Sequence, residues 1–103
     1  MPVDELDPLI HAVARLRIMV VLSALTPGDE ISFPRLGEVT DLTAGNLLTH
    51  LRRLAEAGYV TVEKSGQGSM SRTLVAATDE GRRALEHYRA TLGRLLATPE
   101  PSP

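Results

Sequence analysis

Apolar positions recur along this chain at two spacings, and each spacing assigns elements. Leu9, Val13, Leu16 and Val20 repeat at steps of three and four, with Ile10, Met19, Leu22 and Leu25 widening the stripe. That is a helical period. Asp7-Pro8 opens this helix as an N-cap with proline in the first turn, and Pro27-Gly28 stops it after Leu25. A short second helix follows from Ser32 through Phe33-Pro34 and ends in a tight turn at Thr40-Asp41-Leu42. A third spans 43–57, capped by Thr43 and closed by Gly58, with Leu47, Leu51 and Leu54 stacked on its buried side. Beyond Gly58 the pattern becomes β-branched and aromatic: Tyr59, Val60, Thr61 and Val62 predict a strand, and residues 72–76 predict its antiparallel return. Residues 65–69, with Gly66 and Gly68, form the hairpin tip, and a short extra strand has room near Ile31. The last helix starts at the Thr78 cap, with Asp79 and Glu80 favouring its positive end, and runs to about Leu96 with Leu85, Tyr88, Leu92 and Leu95 along one side.

The predicted class is mainly α with a small β-wing, in the order α-α-α-β-β-α: a winged helix-turn-helix. A helix held clear of its domain by such a turn has the width to enter a DNA major groove. With Leu47 at the buried centre of the third helix, Gly45, Thr49 and Arg52 fall opposite, flanked by Asn46, Leu48 and Arg53. An Asn suits an adenine edge, an Arg suits guanine or phosphate, and an exposed Leu suits a thymine methyl. Asn46 and Thr49, in the N-terminal half, are the residues expected at base edges. A solvated surface helix carries a similar face, so the wing is what shifts the reading towards nucleic acid: Lys64 and Arg72 flank its tip. The glycine-rich tip joins two strands and opens no helix, which argues against a nucleotide phosphate cradle.

The run Leu42-Thr43-Ala44-Gly45-Asn46-Leu47-Leu48-Thr49-His50-Leu51-Arg52-Arg53-Leu54-Ala55-Glu56-Ala57-Gly58-Tyr59-Val60 resembles the recognition helix and first wing strand of bacterial and archaeal winged helix-turn-helix regulators of the MarR/ArsR kind. It is most similar to their small winged helix DNA-binding domain group. Further likeness lies in Leu9-Ile10-His11 with residues 14–18, in Phe33-Pro34, and in the stretch from Leu74 to Gly81 with Thr78 and Arg82. The resemblance spans residues 6–96. It implies sequence-specific binding of double-stranded DNA at a palindromic operator by a homodimer, and transcriptional control as a repressor. On this chain the implied recognition-helix contacts are Thr43, Gly45, Asn46, Leu48, Thr49, Arg52 and Arg53, and the implied wing contacts are Lys64, Gln67, Ser69 and Arg72. One departure stands out: relatives usually carry a more basic wing tip, often with proline and paired arginines, which weakens the expected wing contacts. The terminal stripes can fill a monomer core; their apolar width and the resemblance together favour a dimer interface through Leu9, Val13, Leu85, Tyr88, Leu92 and Leu95.

Composition bounds the rest. A chain of 103 residues predicts one domain over 7–97, an N-terminal extension over 1–6 and a disordered tail over 98–103. With no cysteine, disulfides and thiolate metal sites are excluded. The absence of a long uncharged apolar run predicts no membrane span and a cytoplasmic protein. A net charge of −2 opposes DNA binding, but it is unevenly distributed. Residues 1–31 hold two Arg against five acids, residues 32–76 five Lys and Arg against four acids, and residues 77–103 four of each. The reading face is therefore the least acidic part. His11, His50 and His87 sit on separate predicted helices, so no metal site, cofactor or catalytic centre is expected, and no enzyme. His50 is better read as an orienting or phosphate-contacting residue; Glu86-His87 could join a dimer-interface metal site of the ArsR sort, against which adjacent residues point about 100° apart on a helix. Two alternatives remain open: a winged-helix protein-interaction module without DNA binding, and a sensor whose affinity is set by an unidentified small-molecule effector between the first helix and the motif.

Overall fold

The computed structural model describes residues 5–97, which form α1 (Val13–Ala24), β1 (Ile31–Ser32), α2 (Phe33–Thr40), α3 (Ala44–Glu56), β2 (Val60–Ser65), β3 (Arg72–Ala77) and α4 (Asp79–Leu96). The expected tail over 98–103, and most of the expected extension, lie outside the described residues. Leu6, assigned to that extension, packs against the core.

The first helix differs from expectation. Asp7 Oδ1 accepts the Leu9 N–H at 2.9 Å and the Asp7 carbonyl accepts the His11 N–H at 2.8 Å, closing a single isolated turn. Ala12 is then extended, with φ −131° and ψ 128°, so α1 starts only at Val13. Tertiary contacts override the local helix signal here. The turn is pinned to the base of the wing, where the Tyr59 hydroxyl donates to Asp7 Oδ2 at 2.6 Å, and to α4, where His11 Nδ1 and the Tyr88 hydroxyl are hydrogen-bonded at 2.9 Å. The break also turns the buried stripe: Ile18, Met19 and Leu22 enter the core, while Val13 and Val20 are exposed.

Around those three pack Leu36 of α2, Leu47, Leu51 and Leu54 of α3, Val60 and Val75 of the sheet, and Leu85 and Tyr88 of α4. The sheet is antiparallel in the order β1-β3-β2, and it includes the short strand at Ile31, which pairs with Val75. Two devices lock α4 across this core. Arg82 donates Nη1 to the Ser23 carbonyl at 2.9 Å and Nη2 to the Leu25 carbonyl at 3.0 Å, satisfying carbonyls that the end of α1 leaves free. Gly81 is buried against the Tyr59 carbonyl, where a Cβ has no room.

Candidate nucleic-acid interface

The turn between α2 and α3 fixes the pose of the third helix. Ser32 caps α2 by accepting the Arg35 N–H at 3.3 Å, and the helix ends where Asp41 takes the left-handed conformation, φ 58°. Asp tolerates that region better than most residues. The Leu42 N–H then donates back to the Gly37 carbonyl at 3.1 Å, and a Cβ on Gly37 would sit only 3.3 Å from the Leu42 carbonyl oxygen. Arg17 of α1 reaches the Thr40 carbonyl at 3.4 Å, tying the end of α2 to the core. Thr43 accepts the Asn46 N–H at 3.3 Å and opens α3 as expected.

With Leu47, Leu51 and Leu54 fully buried, Thr43, Gly45, Asn46, Leu48, Thr49, Arg52 and Arg53 all lie exposed. The structure thus gathers the predicted reading residues on one surface. Thr49 departs from its expected chemistry in one respect: its hydroxyl donates to the Gly45 carbonyl at 3.0 Å. Among the described residues Arg52, Lys64 and Arg72 make no ion pair, so their charges remain available.

His50 sits at the edge of this face. Arg15 donates one guanidinium N–H to the Leu9 carbonyl and another to His50 Nδ1 at 3.3 Å, so the accepting ring nitrogen carries no proton. Burial, then the charges of Arg15 and Arg53, hold the imidazole below its ordinary pKa. Arg15 was not found from the sequence, because its partner lies 35 residues away and no local pattern signals the pairing.

The wing forms as expected, with Lys64, Gln67, Ser69 and Arg72 all exposed around a 3-10 turn at Gly68–Met70. Its register separates the two cations. Lys64 opposes Thr73 and Ser65 opposes Arg72, so in an antiparallel pair Lys64 and Arg72 project from opposite faces of the hairpin. Met70, an exposed apolar residue at the tip, was missed although it interrupts a polar run visible in the sequence.

The predicted dimer residues divide. Leu85 and Tyr88 are buried in the chain's own core, and Leu9 and Leu92 are half-buried against it, because α4 packs one full face on α1 and the sheet. Val13, at 71% exposure, and Leu95, at 51%, remain on the surface, joined by Val20 and by Leu96 at 73%. Two open clefts lie on the surface of the domain, of about 340 Å³ between α2 and α3 and about 350 Å³ between α2 and β3. Among the described residues no group of three or more His, Asp or Glu is placed to hold a metal, and no helix is long and apolar enough to cross a membrane.

The family of winged helix DNA-binding domains matches residues 14–96. The chain belongs to this family. A relative in Methanocaldococcus jannaschii, itself uncharacterised, is 34% identical over 80 residues, which cover 78% of this chain and 84% of the relative. Among solved structures, a transcriptional regulator homologue from Pyrococcus horikoshii OT3 is 31% identical with a TM-score of 0.76, covering 85% of this chain and 84% of that one. A MarR family transcriptional regulator from Silicibacter pomeroyi is 25% identical with a TM-score of 0.63, covering 90% of this chain and 62% of its own. In a winged helix domain of this geometry, α3 is the exposed helix of the helix-turn-helix, and its width of about 10–12 Å matches a major groove about 12 Å wide.

Proposed function

We propose that the protein is a cytoplasmic transcriptional regulator that binds a two-fold symmetric duplex as a homodimer, with α3 in the major groove and the wing on the backbone. The observation that carries this is the uncommitted outward face of α3. Its side chains make no packing contribution to the core, and Arg52 has no acidic partner among the described residues. The opposed projection of Lys64 and Arg72 suits a wing that lies edge-in along the duplex and meets phosphates on either side.

A second copy supplies what one domain lacks. Residues 32–76 carry a net charge of only +1, so a single domain makes few phosphate contacts. Two domains on one duplex multiply the local affinity through effective concentration. The exposed Val13, Val20, Leu95 and Leu96 on the two terminal helices offer the apolar surface for that pairing.

Electrophoretic shift of the protein's own upstream DNA, repeated across a salt series, tests the reading. A shifted band whose affinity falls steeply with salt is the expected result. No shift at low salt would instead favour a protein-interaction module.

A further inference from the structure

The flank of α3 that meets α1 carries chemistry that base reading does not use. Asn46, His50 and Arg53 follow one another at spacings of four and three, so they line that flank one above the other. When a helix lies in a major groove, its outermost side meets base edges and its flanks meet the sugar-phosphate walls. His50 is the half-buried member of the three, and its ring is held from behind.

The residue that holds it is Arg15 of α1, which lies outside the helix-turn-helix. Arg15 donates Nε to the Leu9 carbonyl at 2.5 Å and Nη1 to His50 Nδ1 at 3.3 Å. An arginine can only donate, so Nδ1 is the accepting nitrogen and the proton of the neutral ring sits on Nε2. The tautomer is thereby fixed. Leu9 belongs to the turn that Asp7 closes and ties to Tyr59, so the guanidinium is anchored to a segment that is itself anchored. Among the described residues the one buried side-chain nitrogen or oxygen without a hydrogen-bond partner is Ser23 Oγ, so Nε2, which has none either, is open to solvent. The outcome is a fixed N–H donor with no protein acceptor.

The charges that act on this ring, those of Arg15 and Arg53, are both positive, and with burial they favour its neutral form near pH 7. Neither arginine makes an ion pair among the described residues. An oriented N–H beside two uncompensated guanidiniums suits an oxyanion. We infer that His50 Nε2 and Arg53 together hold one phosphate of each DNA half-site, with Arg15 as the positioning residue that aims the imidazole. This rests on the reading of α3 as the groove-entering helix and adds a backbone anchor that is independent of the wing. Arg53 supplies charge, which displaces a counterion, and the neutral imidazole supplies direction, which displaces none.

The test uses a duplex selected by the full chain from a randomised pool, with single phosphates replaced in turn by neutral methylphosphonates. At one phosphate per half-site the exchange should weaken wild-type binding about tenfold, the lower end for a hydrogen bond to a charged group. That ratio should shrink in His50→Ala and in Arg15→Met, which keeps a long side chain and loses the donors. His50→Gln, which retains an N–H at similar reach, should hold it. Arg53→Ala should lower the salt slope by about one unit, whereas His50→Ala should leave the slope unchanged. Nitrogen-15 shifts of the His50 ring should report the Nε2–H tautomer in the wild type and a mixture in Arg15→Met, a signature that a merely structural arginine would not move. An unchanged methylphosphonate ratio in His50→Ala would overturn the inference, as would failure of His50→Gln to hold the ratio or an Arg15→Met protein that keeps both tautomer and ratio. Any of these with base selection intact leaves α3 as the reader. Failure of the wild type to select any duplex would overturn the underlying reading as well.

Discussion

The Tyr59 hydroxyl donates to Asp7 Oδ2 at 2.6 Å and so joins the first described turn of the chain to the base of the wing, 52 residues away. Tyr59 is half-buried and lies between Gly58, the left-handed residue that follows α3, and the start of β2 at Val60. The bond thus fixes the point where the reading helix hands over to the wing. Burial, then Asp7, first as hydrogen-bond acceptor and then as charge, and lastly the charge of Glu80 push the phenol up to about 12.

Tyr59→Phe should lower stability by about 1.5–3 kcal/mol, the range for a hydrogen bond to a charged group. Urea denaturation at neutral pH checks this. A folded-state pKa raised above the ordinary 10 keeps the protonated phenol's contribution intact below pH 10 and removes it as pH rises through about 12. The gap between wild type and Tyr59→Phe should accordingly narrow over that interval.

Two glycines should respond in opposite ways to alanine. At Gly81 a Cβ collides with the Tyr59 carbonyl and approaches the Met19 side chain at 3.0 Å, so Gly81→Ala should destabilise the domain by about 3 kcal/mol, at the upper end for overpacking. At Gly45 a Cβ has open space within the first turn of α3. Gly45→Ala should raise stability by about 0.5 kcal/mol through helix propensity while weakening DNA binding, because it adds a side chain to the outward face of α3. Thermal melts and binding isotherms of the two variants separate the effects.

The contrast between these glycines shows what the sequence disclosed and what it did not. Thr43, Leu47, Leu51, Leu54 and Gly58 specify α3 through local capping and period, and the strand after Tyr59 follows from residue type. Those signals act within a few residues, so the class and the outward face were legible. The start of α1 was not, because Asp7 and His11 are held by Tyr59 and Tyr88 from distant elements. For the same reason nothing local signals the pairing of Arg15 with His50, and the stripe through Leu85 and Tyr88 does not disclose its partner: a helical stripe shows that a face is apolar, not what covers it. The Thr49 bond to Gly45 is local, yet composition leaves a hydroxyl's partner open among helix carbonyl, water and base.

The wing should contribute affinity without selectivity. Lys64→Ala and Arg72→Ala should each weaken binding equally on selected and random duplexes and reduce the salt slope by about one unit. Since the two side chains leave opposite faces of the hairpin, their effects should add. Loss of sequence preference in either variant at unchanged salt slope would assign base reading to the wing.

Dimerisation should depend on the exposed ends of the terminal helices. Val13→Asp and Leu95→Glu place charges on surface that is open in the single chain, so they should leave the fold intact, convert dimers to monomers and weaken operator binding together. Light scattering at micromolar concentration and far-ultraviolet circular dichroism check both halves of that expectation. A monomeric wild type would remove the interface.

Selection from a randomised duplex pool, run in parallel for the wild type and for Asn46→Ala, tests the central claim most directly. Asn46 is exposed in the first turn of α3 and lies outside the Leu47, Leu51 and Leu54 core face, so its loss should not unfold the domain. The wild type should recover a two-fold symmetric site with half-sites about 34 Å apart, one helical turn. Asn46→Ala should recover the same spacing with preference relaxed at one symmetric pair of positions, a loss worth roughly 1–3 kcal/mol there. Identical base preferences in the two selections, or none in either, would contradict the assignment of α3 as the reading helix.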